Sequence, residues 1–161
     1  MFFKEYLTSK KGVSVIEILI VSAIIVVGLV SLLELATFSL KLSIQNRETT
    51  QAKNFAEETL EAVRNFRDGT IWDANGLGIL SLDTVYHLEK TGDTPPKWDF
   101  VLGEEEVNGF KREVVLNRVF RDADSNIAAS GTEDPNTKKI TATVSWKDKE
   151  LEIINYLTNW R

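Results

Sequence analysis

The sequence predicts an α+β fold, in which one long N-terminal helix packs on a C-terminal antiparallel β-sheet. Three observations support this prediction. Residues 13–33 form an almost uncharged apolar run, residues 34–68 continue it with a helical period, and residues 98–161 contain segments that alternate between apolar and polar side chains. The 161 residues are enough for one modest domain.

Composition excludes two kinds of chemistry. The chain has 19 Lys and Arg residues against 24 Asp and Glu residues, so its formal net charge is −5. No nucleic-acid partner is predicted, because binding to phosphates requires clustered basic side chains. The chain has no cysteine, so it can form neither a disulfide nor a thiolate metal site.

The apolar run has the length of a membrane span. As a helix, residues 13–33 would extend about 31 Å, close to the roughly 30 Å of bilayer hydrocarbon. Lys4, Lys10 and Lys11 precede the run, which predicts a cytoplasmic N-terminus and an exported C-terminal part. A cleaved secretory signal is the rival interpretation, but the run is longer than the apolar region of a typical signal.

The helix is predicted to continue beyond the membrane. From Leu40 the sequence turns polar, contains no Pro or Gly up to residue 68, and keeps one apolar stripe at three- and four-residue spacing. The stripe consists of Ala52, Phe55, Ala56, Leu60, Val63 and Phe66. Asp68-Gly69 is typical of a helix end in which the glycine adopts a left-handed conformation. A single helix over about residues 13–68 is therefore predicted, half in lipid and half amphipathic.

The chain changes character after this helix. Residues 69–97 are rich in Gly and Pro, which predicts a connecting loop region with one short strand at residues 85–88. Residues 98–161 are predicted to form the antiparallel sheet. The individual strand signals are a strand at 98–102, a hairpin at Asn108-Gly109, an alternating strand at 139–146 and a last strand at 151–157.

One motif stands at the head of the apolar run. A short basic leader ends in Lys10-Lys11-Gly12, four uncharged residues follow, and then comes Glu17 inside the apolar helix. This pattern resembles the processing motif of type IV prepilins and type II secretion pseudopilins. Residues 54–72, together with the closing residues 158–160, are further similar to minor subunits of the PilV or GspI type.

The resemblance implies a processing reaction and a set of partners. Prepilin peptidase would remove the leader, residues 1–12, by cutting after Gly12, and would methylate the new N-terminus at Val13. The pilin-like subunit would lie in the cytoplasmic (inner) membrane and then join an extracellular or periplasmic filament. Its partners would be other pilin or pseudopilin subunits and the assembly platform in the membrane. The resemblance implies a structural subunit, not an enzyme. No cofactor is predicted apart from the candidate calcium ion considered below.

Departures from the family pattern favour a minor subunit over a major, force-bearing pilin. Most members begin the mature chain with Phe, whereas this chain has Val13. Major pilins often carry a proline in the span, but the prolines here are Pro95, Pro96 and Pro135. Many pilins also close their C-terminal region with a disulfide, which this chain cannot form.

Glu17 has a physical explanation beside the resemblance. A charged carboxylate within hydrocarbon costs on the order of 3 kcal/mol. Cleavage would create a positive α-amine at Val13, and in a filament the amine of a neighbouring subunit could lie against Glu17 and neutralise it. The alternative is that Glu17 lies near the membrane interface, where it reaches water or is protonated.

A second candidate site is an acidic segment near the end of the chain. Asp122, Asp124, Asn126 and Glu133 match several ligand positions of a calcium-binding EF-hand loop. Ile127 occupies the sixth position, where the sharp turn of such a loop requires glycine. The alternative is a solvated hairpin loop without calcium.

The sequence leaves two other functional classes open. The runner-up is an uncleaved, single-span membrane-anchored adhesin or receptor domain. Trp160, next to the C-terminus, is a candidate partner contact for any of these classes. A membrane-tethered enzyme would have to depend on His87, the single histidine. No nucleophile and acid can be assembled around His87 from the sequence, so it is interpreted as structural.

Overall fold

The computed structural model describes residues 12–160, which form two compact units that meet between Asn46 and Arg47. Helix α1, Val15–Gly69, begins in the first unit and ends in the second. The predicted leader lies outside the described residues apart from Gly12. The observed architecture is the predicted one, an α+β arrangement of a long N-terminal helix and an antiparallel sheet.

The two ends of α1 differ slightly from prediction. The helix begins two residues later than predicted, where the carbonyl oxygen of Ser14 accepts the N–H groups of Glu17 and Ile18 at 3.0 and 3.2 Å. The helix ends at Gly69. The prediction that Gly69 adopts a left-handed conformation is wrong, because its φ is not positive. The hydroxyl of Thr70 instead donates to the Phe66 carbonyl at 2.7 Å and satisfies one of the last carbonyls.

The second unit contains a short helix and seven strands. Their bounds are α2 Trp72–Asn75, β1 Val85–Lys90, β2 Trp98–Leu102, β3 Glu105–Val107, β4 Phe110–Arg121, β5 Ile127–Ala128, β6 Thr132–Trp146 and β7 Lys149–Thr158. The strand order is β2-β1-β4-β6-β7, with β3 and β5 also paired to β4, and every pairing is antiparallel. Helix α2 was not predicted, and β1 is two residues longer than predicted.

The amphipathic part of α1 packs on this sheet. Its predicted stripe is buried apart from Phe55, which is half-buried. Leu60 and Val63 lie in one core cluster with residues of the central strands, including Val114 and Ile140, while Ala52 and Ala56 lie in a second cluster. Burying an aliphatic side chain of this size contributes about 1.5–3 kcal/mol, so the stripe anchors α1 to the sheet.

Two tight hairpins set the register of the sheet. Asn108 and Gly109 both have positive φ, at 54° and 78°, and Val107 pairs with Phe110, which confirms the predicted two-residue turn. Lys147 also has positive φ, at 52°, and it begins the two-residue turn between β6 and β7. The ion pair of Arg112 with Glu105 further ties β3 to β4, and the pair of Lys111 with Glu104 ties the residue before β3 to β4.

Strand β6 begins seven residues earlier than predicted. It accommodates Pro135 because the proline lies where the pairing is interrupted: β4 shifts register between Arg118 and Phe120, and β7 pairs with β6 only from Thr137 onward. A proline cannot donate to a strand ladder, so it is tolerated at such an irregularity. The sequence obscures this strand because a proline and several charged residues interrupt the alternation.

Gly131, in the turn before β6, allows a test of this part of the sheet. Its φ is +146°, and a Cβ atom there would lie 2.1 Å from the carbonyl oxygen of Arg121. We expect Gly131→Ala to lower the free energy of unfolding by about 2–4 kcal/mol, because backbone strain and steric overlap act together. Urea denaturation of the full chain in detergent, followed by tryptophan fluorescence, measures this change.

Gly92→Ala is the matched control for this substitution. A Cβ atom at Gly92 would meet nothing within 4 Å, and its φ is not positive. The control should change the free energy of unfolding by less than about 0.5 kcal/mol. Equal effects at both positions would contradict the close approach of Gly131 to Arg121.

Candidate functional site

The first candidate site is the start of α1. Glu17 lies in the first helical turn, and Val13 lies four residues before it, just outside the helix. Residues on one face border a shared shallow groove; they are Val13, Glu17, Ile18, Val21, Ser22 and Ile25. The residue that would become the N-terminus and the acidic residue therefore lie on the same face, as four-residue spacing requires.

The surface of α1 from Val15 to Leu33 is apolar on all sides, with Glu17 as its one charged residue. Every residue from 12 to 46 is exposed in this chain, and large apolar side chains from Val13 to Ile44 are between 47% and 74% exposed. A helix that is apolar all round needs a partner or a lipid environment, because it leaves too much apolar surface in water. Nothing within the described part of the chain covers this surface.

This part of α1 has the properties of a membrane span. An 18-residue window reaches a mean hydropathy of 2.8, and none of that window is buried. The hydroxyls of Ser22, Ser31 and Thr37 donate to carbonyl oxygens three or four residues earlier, at 2.8–2.9 Å, which satisfies them without water. One long apolar N-terminal helix could therefore cross a membrane.

Glu17 is a charge that its own helix does not neutralise. Within the described chain, the first basic residue is Lys41, 24 positions further along α1. At 1.5 Å per residue this is about 36 Å, so Lys41 cannot reach the Glu17 carboxylate. A cation for Glu17 has to come from the chain's own N-terminal end or from another molecule.

The second candidate site, the acidic segment, is organised around backbone hydrogen bonds. Asp122 Oδ1 accepts the N–H groups of Asp124 and Asn126, each at 2.9 Å, so this carboxylate closes the loop between β4 and β5. Glu133 lies on β6, where it pairs with Phe120 in the register of the sheet. Among residues 12–160, no three His, Asp or Glu side chains form a group that could hold a metal ion.

Sequence reasoning missed the residue that holds this loop. Arg121 Nε donates to Asp134 Oδ2 at 2.7 Å, and its Nη1 donates to the Ser125 carbonyl at 2.8 Å. The pKa of Asp134 is lower than its usual value, mainly because Arg121 donates a hydrogen bond to its carboxylate. The hydrogen bond from the Thr137 hydroxyl lowers this pKa further. The Arg121 guanidinium therefore bridges the loop and β6.

The two remaining candidates have identifiable surroundings. His87 is buried on β1, with Nδ1 3.0 Å from the Gly103 carbonyl and Nε2 3.0 Å from Glu89 Oε1, so it links β1 to the segment after β2. Trp160 is 61% exposed and borders a half-open pocket of about 290 Å³ beside Ile71 and Trp72. No signal in the sequence predicts this pocket, since its residues are far apart in the chain.

Comparison with known proteins does not assign the chain to a family. No family model, no curated protein and no solved structure matches it. A function therefore has to be inferred from the residues and the geometry described above.

The Arg121–Asp134 pair makes stability depend on pH. Because the pKa of Asp134 is lower in the folded than in the unfolded chain, its contribution is complete above about pH 4 and is lost as the pH falls further. We expect Asp134→Asn to be less stable than the original chain at pH 7, and the difference to shrink between about pH 4 and pH 2. Thermal unfolding at a series of pH values measures it.

Glu133→Gln is the neighbouring control. Glu133 is exposed and its carboxylate lies 3.9 Å from Arg118, a surface pair of small energetic value. The control should change the stability at pH 7 by less than about 0.5 kcal/mol. A difference between Asp134→Asn and the original chain that persists unchanged to pH 2 would show that Arg121 does not stabilise the charged form of Asp134.

Proposed function

We propose that this chain is a structural, minor subunit of a type IV pilus-like filament or of a type II secretion pseudopilus. The chain is inserted in the cytoplasmic membrane as a precursor and is cleaved after Gly12 and N-methylated at Val13 by a prepilin peptidase. One observation carries the proposal. Glu17 lies in the first turn of an apolar helix, exposed on all sides, that contains no basic residue within reach.

Cleavage supplies the cation that Glu17 lacks. Removing the leader creates an α-amine at Val13, on the same face of the helix and one turn away. In a bundle of subunits, the amine of one subunit then pairs with Glu17 of the next. The pair is valuable in this apolar environment mainly because either charge alone is costly there, by several kcal/mol.

The apolar surface of the first unit explains how the subunit assembles. In the membrane, lipid covers side chains such as Leu19 and Ile24; in a filament, the helices of neighbouring subunits cover them. An assembly platform in the membrane would transfer the subunit from the first environment to the second. The second unit, with its antiparallel sheet, would lie on the periplasmic or extracellular side.

The first test concerns the cleavage site. We expect Gly12→Leu to slow cleavage by prepilin peptidase at least about tenfold, because the processing motif that this chain resembles is cut after glycine. A tenfold effect corresponds to roughly 1.4 kcal/mol of transition-state stabilisation. Mass spectrometry of the N-terminus, after co-expression with a prepilin peptidase, measures the product. The unchanged chain should begin at methylated Val13.

Gly28→Leu is the matched control for Gly12→Leu. Both glycines have open space around the position of a Cβ atom, and neither has positive φ, so the same side chain is added without strain. The control should be cleaved as fast as the original chain. An intact N-terminus in the unchanged chain would contradict the proposal and favour the uncleaved, membrane-anchored adhesin or receptor.

The second test concerns Glu17. We expect Glu17→Leu to be cleaved and inserted normally but to enter filaments at least about tenfold less efficiently, because the amine of the neighbouring subunit would be buried without a partner. Quantifying the subunit in sheared filaments relative to the membrane fraction measures this ratio.

Glu34→Leu controls for the loss of a carboxylate from the same helix. Glu34 lies at the far end of the predicted span, where its side chain can reach water. The Glu34→Leu variant should therefore enter filaments as the original chain does. If Glu17→Leu also assembles normally, the pairing of Glu17 with a neighbouring amine is wrong.

A further inference from the structure

The two edges of the sheet are not equivalent. β2 and β7 are the outer strands of the main strand order. β2 has 5 residues and follows Pro95-Pro96, whereas β7 has 10 residues and contains no proline. Among residues 12–160, β7 pairs only with β6. A short edge beside prolines is protected against further pairing; a long, regular edge is a template for it.

The direction of the hydrogen bonds along β7 can be determined. Lys149 pairs with Trp146 across a two-residue turn, so its backbone groups bond to β6, as do those of every second residue after it. The residues between them point their N–H groups away from β6. Tyr156 confirms this, because its N–H donates to Asn155 Oδ1 at 2.8 Å instead of to β6. The N–H groups of Glu150, Glu152 and Ile154 thus face the open edge.

A groove runs beside this edge. It lies between β7 and the amphipathic part of α1, with a volume of about 660 Å³. Its lining residues are Glu57, Glu58, Leu60, Glu61, Arg64, Ile153, Ile154 and Asn155. An added strand would therefore continue the sheet underneath α1, with apolar contacts to β7 and polar contacts to the helix.

The surroundings of the edge are predominantly acidic. On the helix side, the carboxylates of Glu57, Glu58 and Glu61 are more than half exposed, and they form ion pairs of 3.2–3.5 Å. The partners of Glu57 and Glu61 are themselves exposed, and such surface pairs are weak and leave these two carboxylates available to an incoming cation. On the other face of β7, Glu150 and Glu152 are exposed. Charge complementarity on the helix side therefore requires basic side chains from the occupant.

This charge pattern disfavours pairing of two copies through β7. Pairing β7 with β7 of a second copy would bring two acidic edges together, each with Glu150 and Glu152 on β7 and Glu57 and Glu61 on α1, and like charges across neighbouring strands are destabilising. The exposed apolar residues of the same face, Ile154 and Tyr156, nevertheless need a partner with apolar side chains. A strand that alternates basic and apolar residues meets both requirements.

We infer that the β7 edge binds an extended segment of a different subunit, in which Lys or Arg alternates with apolar residues. The added strand hydrogen-bonds to Glu152 and Ile154, turns its basic side chains toward Glu57 and Glu61 on α1, and turns its apolar side chains toward Ile154 and Tyr156. The inference rests on the proposed function only in naming the partner as a subunit of the same filament.

The direct test uses a synthetic peptide, acetyl-(Lys-Val)4-Lys-amide, and the full chain in nanodiscs of phosphatidylcholine, which carries no net charge. We expect the peptide to bind and to slow amide exchange of Glu152 and Ile154 at least about tenfold, since these N–H groups gain acceptors. Exchange at Ile153 and Asn155 should change little, because their N–H groups already bond to β6. The acidic peptide acetyl-(Glu-Val)4-Glu-amide should not bind.

Two proline variants separate edge pairing from simple charge attraction. Glu152→Pro removes an outward N–H without touching the β6 ladder, and it should weaken peptide binding at least about tenfold. Leu102→Pro, at an exposed outward position of the opposite edge strand β2, should leave binding unchanged. Glu152→Gln, which removes the charge but keeps the N–H, should weaken binding less than Glu152→Pro does. Circular dichroism verifies that each variant is folded.

The outcomes separate this inference from the proposed function. Absence of peptide binding, or binding that leaves the exchange of Glu152 and Ile154 unchanged, would overturn the edge site whatever happens at Val13. If the peptide slows the exchange but the N-terminus stays uncleaved in cells, the edge site is supported and the proposed filament function is contradicted.

Discussion

The change in hydrophobic pattern along α1 is the constraint on which the rest of the structure depends. Up to Leu33 the helix is apolar on all sides with Glu17 as its one charged residue, and from Ala52 it is apolar along one stripe only. The stripe is buried on the sheet, where each aliphatic side chain contributes about 1.5–3 kcal/mol. The preceding part has no such surface within the described chain. It therefore requires lipid or other helices, and this requirement gives Glu17 its significance.

Periodicity predicted the helix, the packing stripe and most of the strands, because Leu60 or Ile140 is buried through its own spacing along the chain. Features that depend on distant partners could not be predicted. A local rule assigned Gly69 to a left-handed cap, but the nearby Thr70 hydroxyl satisfies the helix end. The early start of β6 at Thr132 is hidden because Pro135 is tolerated only through a register shift in β4.

The candidate sites likewise divide into those that local spacing predicts and those that depend on distant residues. Val13 and Glu17 are four residues apart at the start of α1, and the helix predicted over both residues already places them on a common face. Around Asp122 the sequence shows acidic spacing but not Arg121, whose guanidinium reaches Asp134 and Ser125 from the end of β4. The β7 edge was also invisible to sequence reasoning, since a strand pattern does not say which strand will be outermost in a sheet.

The two proposed contacts would constrain a filament in different ways. Apolar helices pack with little directional preference, so a bundle of helices such as α1 could slide or rotate at small cost. A pair between Val13 and Glu17 fixes the axial position, because a shift of one turn leaves both charges unpaired in an apolar environment. A strand added at β7 fixes the partner's orientation, because a shift of one residue exchanges its two faces. Together they would specify a unique neighbour, which the apolar surface alone cannot do.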